Sequence, residues 1–188
     1  MKKFTAIAAL TTALSLTAGA AFAQMAENPM VGGAAMFADR TIVENAVNSA
    51  DHTTLVAAVQ AASLVETLSG PGPFTVFAPT NAAFEALPAG TVETLLRPEN
   101  KAMLTKILTC HVVATEVFSD AINTMIADDG GAHSVPTVGG CQLLAQRTAD
   151  GSIALMDEAG NVATVTIADV NQSNGVIHVI DTVMLPVS

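Results

Sequence analysis

Apolar positions change their period along the chain, and the change divides it in two. Ile42, Val43, Ala46 and Val47 recur at helical spacing, and Leu55, Val56, Val59 and Ala62 repeat it. Two short amphipathic helices are predicted there, with Asp51 placed to cap the second. Leu64 to Leu68 adds a further helical turn, stopped by Ser69-Gly70-Pro71-Gly72-Pro73. Phe74 to Ala78 is mostly apolar and β-favouring, which predicts a strand ended by Pro79. Thr80 and Asn81 can cap a helix carrying Phe84 and Leu87, and Thr91 a one-turn element with Val92, Leu95 and Leu96. Pro98 suits the first position of a helix through Met103, Leu104, Ile107 and Leu108, with Glu99, Lys101 and Lys106 on its polar face.

After Cys110-His111 the texture turns towards strands. Val112-Val113 reads as a strand, Phe118 to Ile126 as a helix, and Asp128-Asp129-Gly130-Gly131 as a turn. Strands are then predicted over Cys141 to Arg147, Ser152 to Met156, Ala163 to Ala168 and Gly175 to Val183. Asp150-Gly151 and Gly160-Asn161 are hairpin punctuation between them. Helices first and strands later is the order of an α+β fold rather than of repeated βαβ units. Residues 24–40 lack sustained periodicity and read as an N-terminal tail, leaving one domain over 41–186.

The first 23 residues read as an address. Lys2 and Lys3 precede an apolar stretch from Phe4 to Leu16, and Ala21-Phe22-Ala23 has the form of a cleavage site. A signal peptide removed between Ala23 and Gln24 is expected, and with it a periplasmic or secreted product. No later stretch is long enough to span a membrane as a helix, so no transmembrane segment is expected in the mature protein. The composition is 51% hydrophobic but only 4% aromatic, so the core must be mainly aliphatic. The chain has 7 basic and 17 acidic residues. Setting aside Lys2 and Lys3 leaves 5 basic residues against 17 acidic ones and no basic cluster. Phosphate backbones are bound by lysine and arginine, so nucleic acid is not an expected partner. Cys110 and Cys141 are the only two cysteines. Export permits a disulfide between them; two separate buried thiols or a redox pair are the alternatives, the last disfavoured without a C-x-x-C.

Motifs for chemistry are absent from the sequence. It holds neither glycine-rich phosphate loop, no G-x-S-x-G and no H-E-x-x-H. His52, His111, His133 and His178 are isolated, and Asp128-Asp129 lacks the alternation of a calcium loop. His178 lies in the apolar run Val176 to Ile180 and is expected buried, neutral and hydrogen-bonded to backbone. Asp181, next on that strand, is expected to accept from backbone. No catalytic residue, metal ligand or cofactor is assigned.

Two segments resemble the signature blocks of the fasciclin domain family. One is Phe74-Thr75-Val76-Phe77-Ala78-Pro79-Thr80-Asn81-Ala82-Ala83-Phe84, the other Gly175-Val176-Ile177-His178-Val179-Ile180-Asp181-Thr182-Val183-Met184-Leu185-Pro186. Leu104 to Val113 resembles the intervening helix-to-strand segment, and Asn28-Pro29-Met30-Val31-Gly32 the lead-in of bacterial secreted single-domain members. The resemblance implies a β-sandwich or wedge with several helices, mostly from the N-terminal half, packed against it. It also implies cell adhesion: binding of an extracellular protein or polysaccharide at a bacterial surface or in extracellular matrix. Thr80, Asn81, Cys110 and His111 are the family-matched candidate binding positions. Cys110 stands where the family often has tyrosine, so integrin recognition is not carried over, and Cys141 is its natural covalent partner. A homo-oligomer would strengthen weak contacts by multivalency. The alternative is a periplasmic small-ligand or metal-binding protein, kept in view by eight methionines and four histidines.

Overall fold

The computed structural model describes residues 28–187, so the expected leader and its cleavage point lie outside the described residues. The segment expected as a tail differs from expectation where it is described. Strands β1 (Met30–Val31) and β2 (Ala34–Ala35) form a small antiparallel hairpin, and Val31 and Met36 are buried. Its turn rests on the main body: the Ala50 N–H donates to Gly32 O at 3.1 Å. Gly32 has φ +57°, and a β-carbon there would collide with Ser49 Oγ. Six residues of strand, turn and strand give too short a stretch for any periodicity to show.

Helices α1 (Ile42–Ala46), α2 (Thr53–Ala61) and α3 (Val65–Leu68) follow. Thr41 and Glu44 close a capping box on α1, with the Thr41 N–H donating to Glu44 Oε2 at 2.8 Å. That bond holds the Glu44 carboxyl below its usual range. Asp51 does not cap α2. It lies in a 3-10 turn over Ala50–His52, and Asn81 takes over the capping from elsewhere in the chain. Strand β3 (Phe74–Pro79) leads into α4 (Asn81–Glu85), then α5 (Thr91–Leu95) and α6 (Lys101–Thr109). Gly90, in the left-handed region, is the N-cap of α5 in place of the expected Thr91. Strand β4 (Val112–Val113) and helix α7 (Ser119–Asp128) precede the strand-rich half. That half comprises β5 (Ala132–Pro136), β6 (Gln142–Arg147), β7 (Ile153–Met156), β8 (Val162–Gln172) and β9 (Gly175–Ile180).

Seven strands form one mixed sheet in the order β4-β3-β9-β8-β7-β6-β5. From β5 to β9 it is an antiparallel meander; β3 inserts beside β9 in parallel, from Phe74 opposite Gly175 to Pro79 opposite Ile180. The near-continuous apolar runs of β3 and β9 follow from burial on both faces. Side chains alternate between those faces. Val76, Ala78, Ile177 and Val179 enter a core shared with helices α1 to α6, while Phe77 and Ile180 enter a second core against α7 and strands β5 to β8. The fold is thus a sheet wedge with helices against it, as the α+β reading and the resemblance imply.

Candidate functional site

The two signature segments come together as the β3/β9 pair, 101 positions apart in sequence and side by side in the sheet (Phe74 with Gly175). Gly175 is required there, since a β-carbon would collide with Phe74 O. Around this pair the structure places every candidate residue.

Thr80 and Asn81 leave the C-terminal end of β3. Thr80 Oγ1 accepts from the Ala83 N–H at 3.4 Å, capping α4. Asn81 clasps α2: its Oδ1 accepts from the Thr54 N–H at 3.0 Å, and its Nδ2 donates to Ala50 O at 2.8 Å. Cys110 and His111 leave α6 and are both buried. Cys110 is disulfide-bonded to Cys141 across 31 positions, with their Cα atoms 5.4 Å apart. The bond ties the end of α6 to the turn between β5 and β6. His111 Nδ1–H donates to Ile107 O at 2.8 Å, and Nε2 accepts from the Met184 N–H at 3.0 Å. Burial lowers its pKa to about 4 against the opposing pull of Ile107 O, so the ring is neutral at pH 7. The Phe77 N–H donates to His111 O at 2.9 Å, so both pairs flank one strand. They do not form one site: no hydrogen bond joins them among the described residues, and the Cys110 and His111 side chains do not face solvent.

His178 lies fully buried on β9, stacked against Phe77 at 5.7 Å between ring centres. Its Nε2–H donates to Val117 O at 2.9 Å, and Nδ1 accepts from the Asp169 N–H at 3.3 Å. His111 and His178 are therefore neutral in opposite tautomers, each joining two backbone segments. Burial lowers the His178 pKa as well. Asp181 Oδ1 accepts from the Thr164 N–H at 2.8 Å, beside the end of the β8/β9 ladder.

Several polar residues with comparable roles were not singled out from sequence. Asn174 is buried: its Oδ1 accepts from the Ile42 N–H at 3.0 Å, and its Nδ2 donates to Leu68 O and Gly70 O at 2.8 and 2.9 Å. Asn45 donates to Phe37 O at 2.7 Å and to Gln172 Oε1. Asp157 accepts from the Ala159, Asn161 and Leu185 N–H groups. Asp169 accepts from the Ser119 N–H at 2.7 Å at the start of α7. Asn174-Gly175 carried a signal, but it reads only as a hairpin turn; the distant partners leave no trace in local spacing. Among the described residues no group of three or more His, Cys, Asp or Glu is gathered as a metal site would need. His133 pairs with Asp129 at 2.6 Å on the surface.

The fasciclin domain family's sequence profile matches residues 50–186. Protein sll1483 of Synechocystis is 46% identical over 183 residues, covering 97% of this chain and 94% of the relative. The cell surface glycolipoprotein MPB83 of Mycobacterium bovis is 34% identical over 167 residues, covering 86% of this chain and 68% of the relative. Among solved structures, the FAS1 domain pair from the insect cell adhesion molecule Fasciclin I superposes with a TM-score of 0.55 at 25% identity, over 68% of this chain and 42% of that one.

Proposed function

The chain belongs to the fasciclin domain family, and from that premise we propose that it is an exported adhesion protein that works by binding and not by catalysis. Its partner is an extracellular protein or polysaccharide. The observation that carries this reading is the family match along nearly the whole described chain, together with relatives named for the cell surface and for cell adhesion. The signature residues themselves support a scaffold role. Thr80, Asn81, His111, His178 and Asp181 direct their polar atoms to backbone groups of this chain. Catalysis would need a nucleophile and base held within reach of a substrate. The acidic balance of the chain favours partners without dense negative charge.

The test is binding of the purified chain from Gln24 onwards to a panel of cell surfaces, matrix proteins and polysaccharides, with soluble protein as competitor. Saturable, competed binding to one class is the expected result. A folded sample that binds none of them at micromolar concentration removes the adhesion reading.

A further inference from the structure

The helix-side core is not filled to its surface. Between α1, α2 and α3 on one side and β3, β4 and the end of α6 on the other lies a cavity of about 190 Å³. Buried Leu55, Val59, Leu108 and His111 line its inner part, and the more exposed Val43 and Val47 line its outer part. Val47, 53% exposed, carries the apolar lining out to solvent. The inner part offers a ligand no free polar group, because both His111 ring nitrogens are already engaged by Ile107 O and the Met184 N–H.

Size and chemistry together restrict the occupant. The volume is similar to that of engineered aliphatic cavities of about 150 Å³, which stay dry and take up small hydrocarbons. Charge narrows the class further. From Ile42 to Leu68 the chain holds Glu44, Asp51 and Glu66 and no lysine or arginine. Lys101 reaches across from α6 to Ser63 Oγ at 2.7 Å but lines no part of the cavity. A carboxylate or phosphate at the mouth would therefore find no cation to pair with and a local excess of acidic groups. The exposed Gln60 stands at the rim and offers an amide to a hydroxyl or carbonyl.

We propose that this cavity is a binding site for an uncharged lipophile, with a hydrocarbon end inserted between α1 and α2 and a neutral polar end at Gln60. The site is separate from the proposed adhesive function, and either can fail without the other. The probes are 1-octanol and octanoate, which share a chain length and differ in charge. Calorimetry on the folded chain is expected to show saturable one-to-one binding of octanol, with octanoate at least ~10-fold weaker for lack of a counter-charge. Methyl resonances of Leu55, Val59 and Leu108 should shift together on the octanol titration. Ala46→Phe, which fills the cavity from α1, should abolish the binding while circular dichroism stays unchanged. The methyl shifts decide the matter if that variant does not fold. Absence of saturable octanol binding, shifts confined to other parts of the chain, undiminished binding by folded Ala46→Phe, or octanoate binding equal to octanol would each overturn the proposal.

Discussion

The two cores on either side of β3 and β9 are held in different ways. The strand-side core is closed by a meander whose neighbours in sequence are neighbours in space, from β5 through β9. Backbone ladders and tight turns supply most of its polar pairing. The helix-side core is closed by helices of 4 to 9 residues, all too short to persist alone. Side chains from far along the chain hold their ends. Asn174 reaches Ile42 across 132 positions and Leu68 across 106, and Asn81 reaches Thr54 across 27. The strand-side half is assembled mainly by local pairing, with α7 clasped at its start by Asp169 across 50 positions, and the helix side mainly by distant polar clasps.

Truncation inside the strand-side core should have the largest effect. Phe77 and Leu155 are almost completely buried, and Phe77→Ala or Leu155→Ala should each cost about 3–5 kcal/mol in urea unfolding through lost burial and a new cavity. Next is the covalent tie between the two halves. Replacing Cys110 and Cys141 by serine should lower stability by about 3–4 kcal/mol, the loop-closure entropy of 31 positions, and the loss should vanish when the parent is compared under reducing conditions.

Acid should then find the histidines at the seam. His111 has a folded-state pKa of about 4, below that of the unfolded chain, so the unfolded state binds more protons between these values. The stabilisation from a neutral His111 is complete above about pH 6.5 and is lost as pH falls towards 4, by up to about 3 kcal/mol. Burial shifts His52 and His178 in the same direction, and they steepen the same acid limb. His111→Gln should flatten the fall in urea midpoint between pH 6.5 and 4, and an unchanged slope would rule out His111 as its source.

The clasps come last in magnitude but discriminate best. Asn174→Ala leaves a buried N–H and two carbonyls without their partner and should cost about 2–3 kcal/mol. Asn81→Ala, at a more exposed helix end, should cost about 1 kcal/mol. Both losses are read as shifts in urea midpoint at constant slope.

The same contrast explains what the sequence makes legible. Strand β6 was expected from Cys141 to Arg147 and runs over Gln142–Arg147, because its alternation and flanking turns are local signals. The helical spacing at Leu55, Val56 and Val59 locates α2, yet Asp51 was the wrong cap. An aspartate just before a helix satisfies the local rule, whereas Asn81 caps it from the next strand exit, which only the fold brings near. Val31 and Met36 were likewise assigned to a tail, since two buried residues in a hairpin of two-residue strands set no period. Cys110 and His111 could be marked from the resemblance as family-matched positions. That they face inward, one into a disulfide and one between Ile107 and Met184, depends on the packing of α6 against the chain's end.

Amide hydrogen exchange on Asn174→Ala beside the parent protein tests the division most directly. Protection should fall in Ile42–Ala46 and Val65–Leu68, whose ends that side chain holds, while Gln142–Arg147 and Ile153–Met156 keep theirs. An equal loss of protection in the helices and the meander would contradict the account, since it would mean that both cores open as one unit and the distant clasps are not what holds the helices.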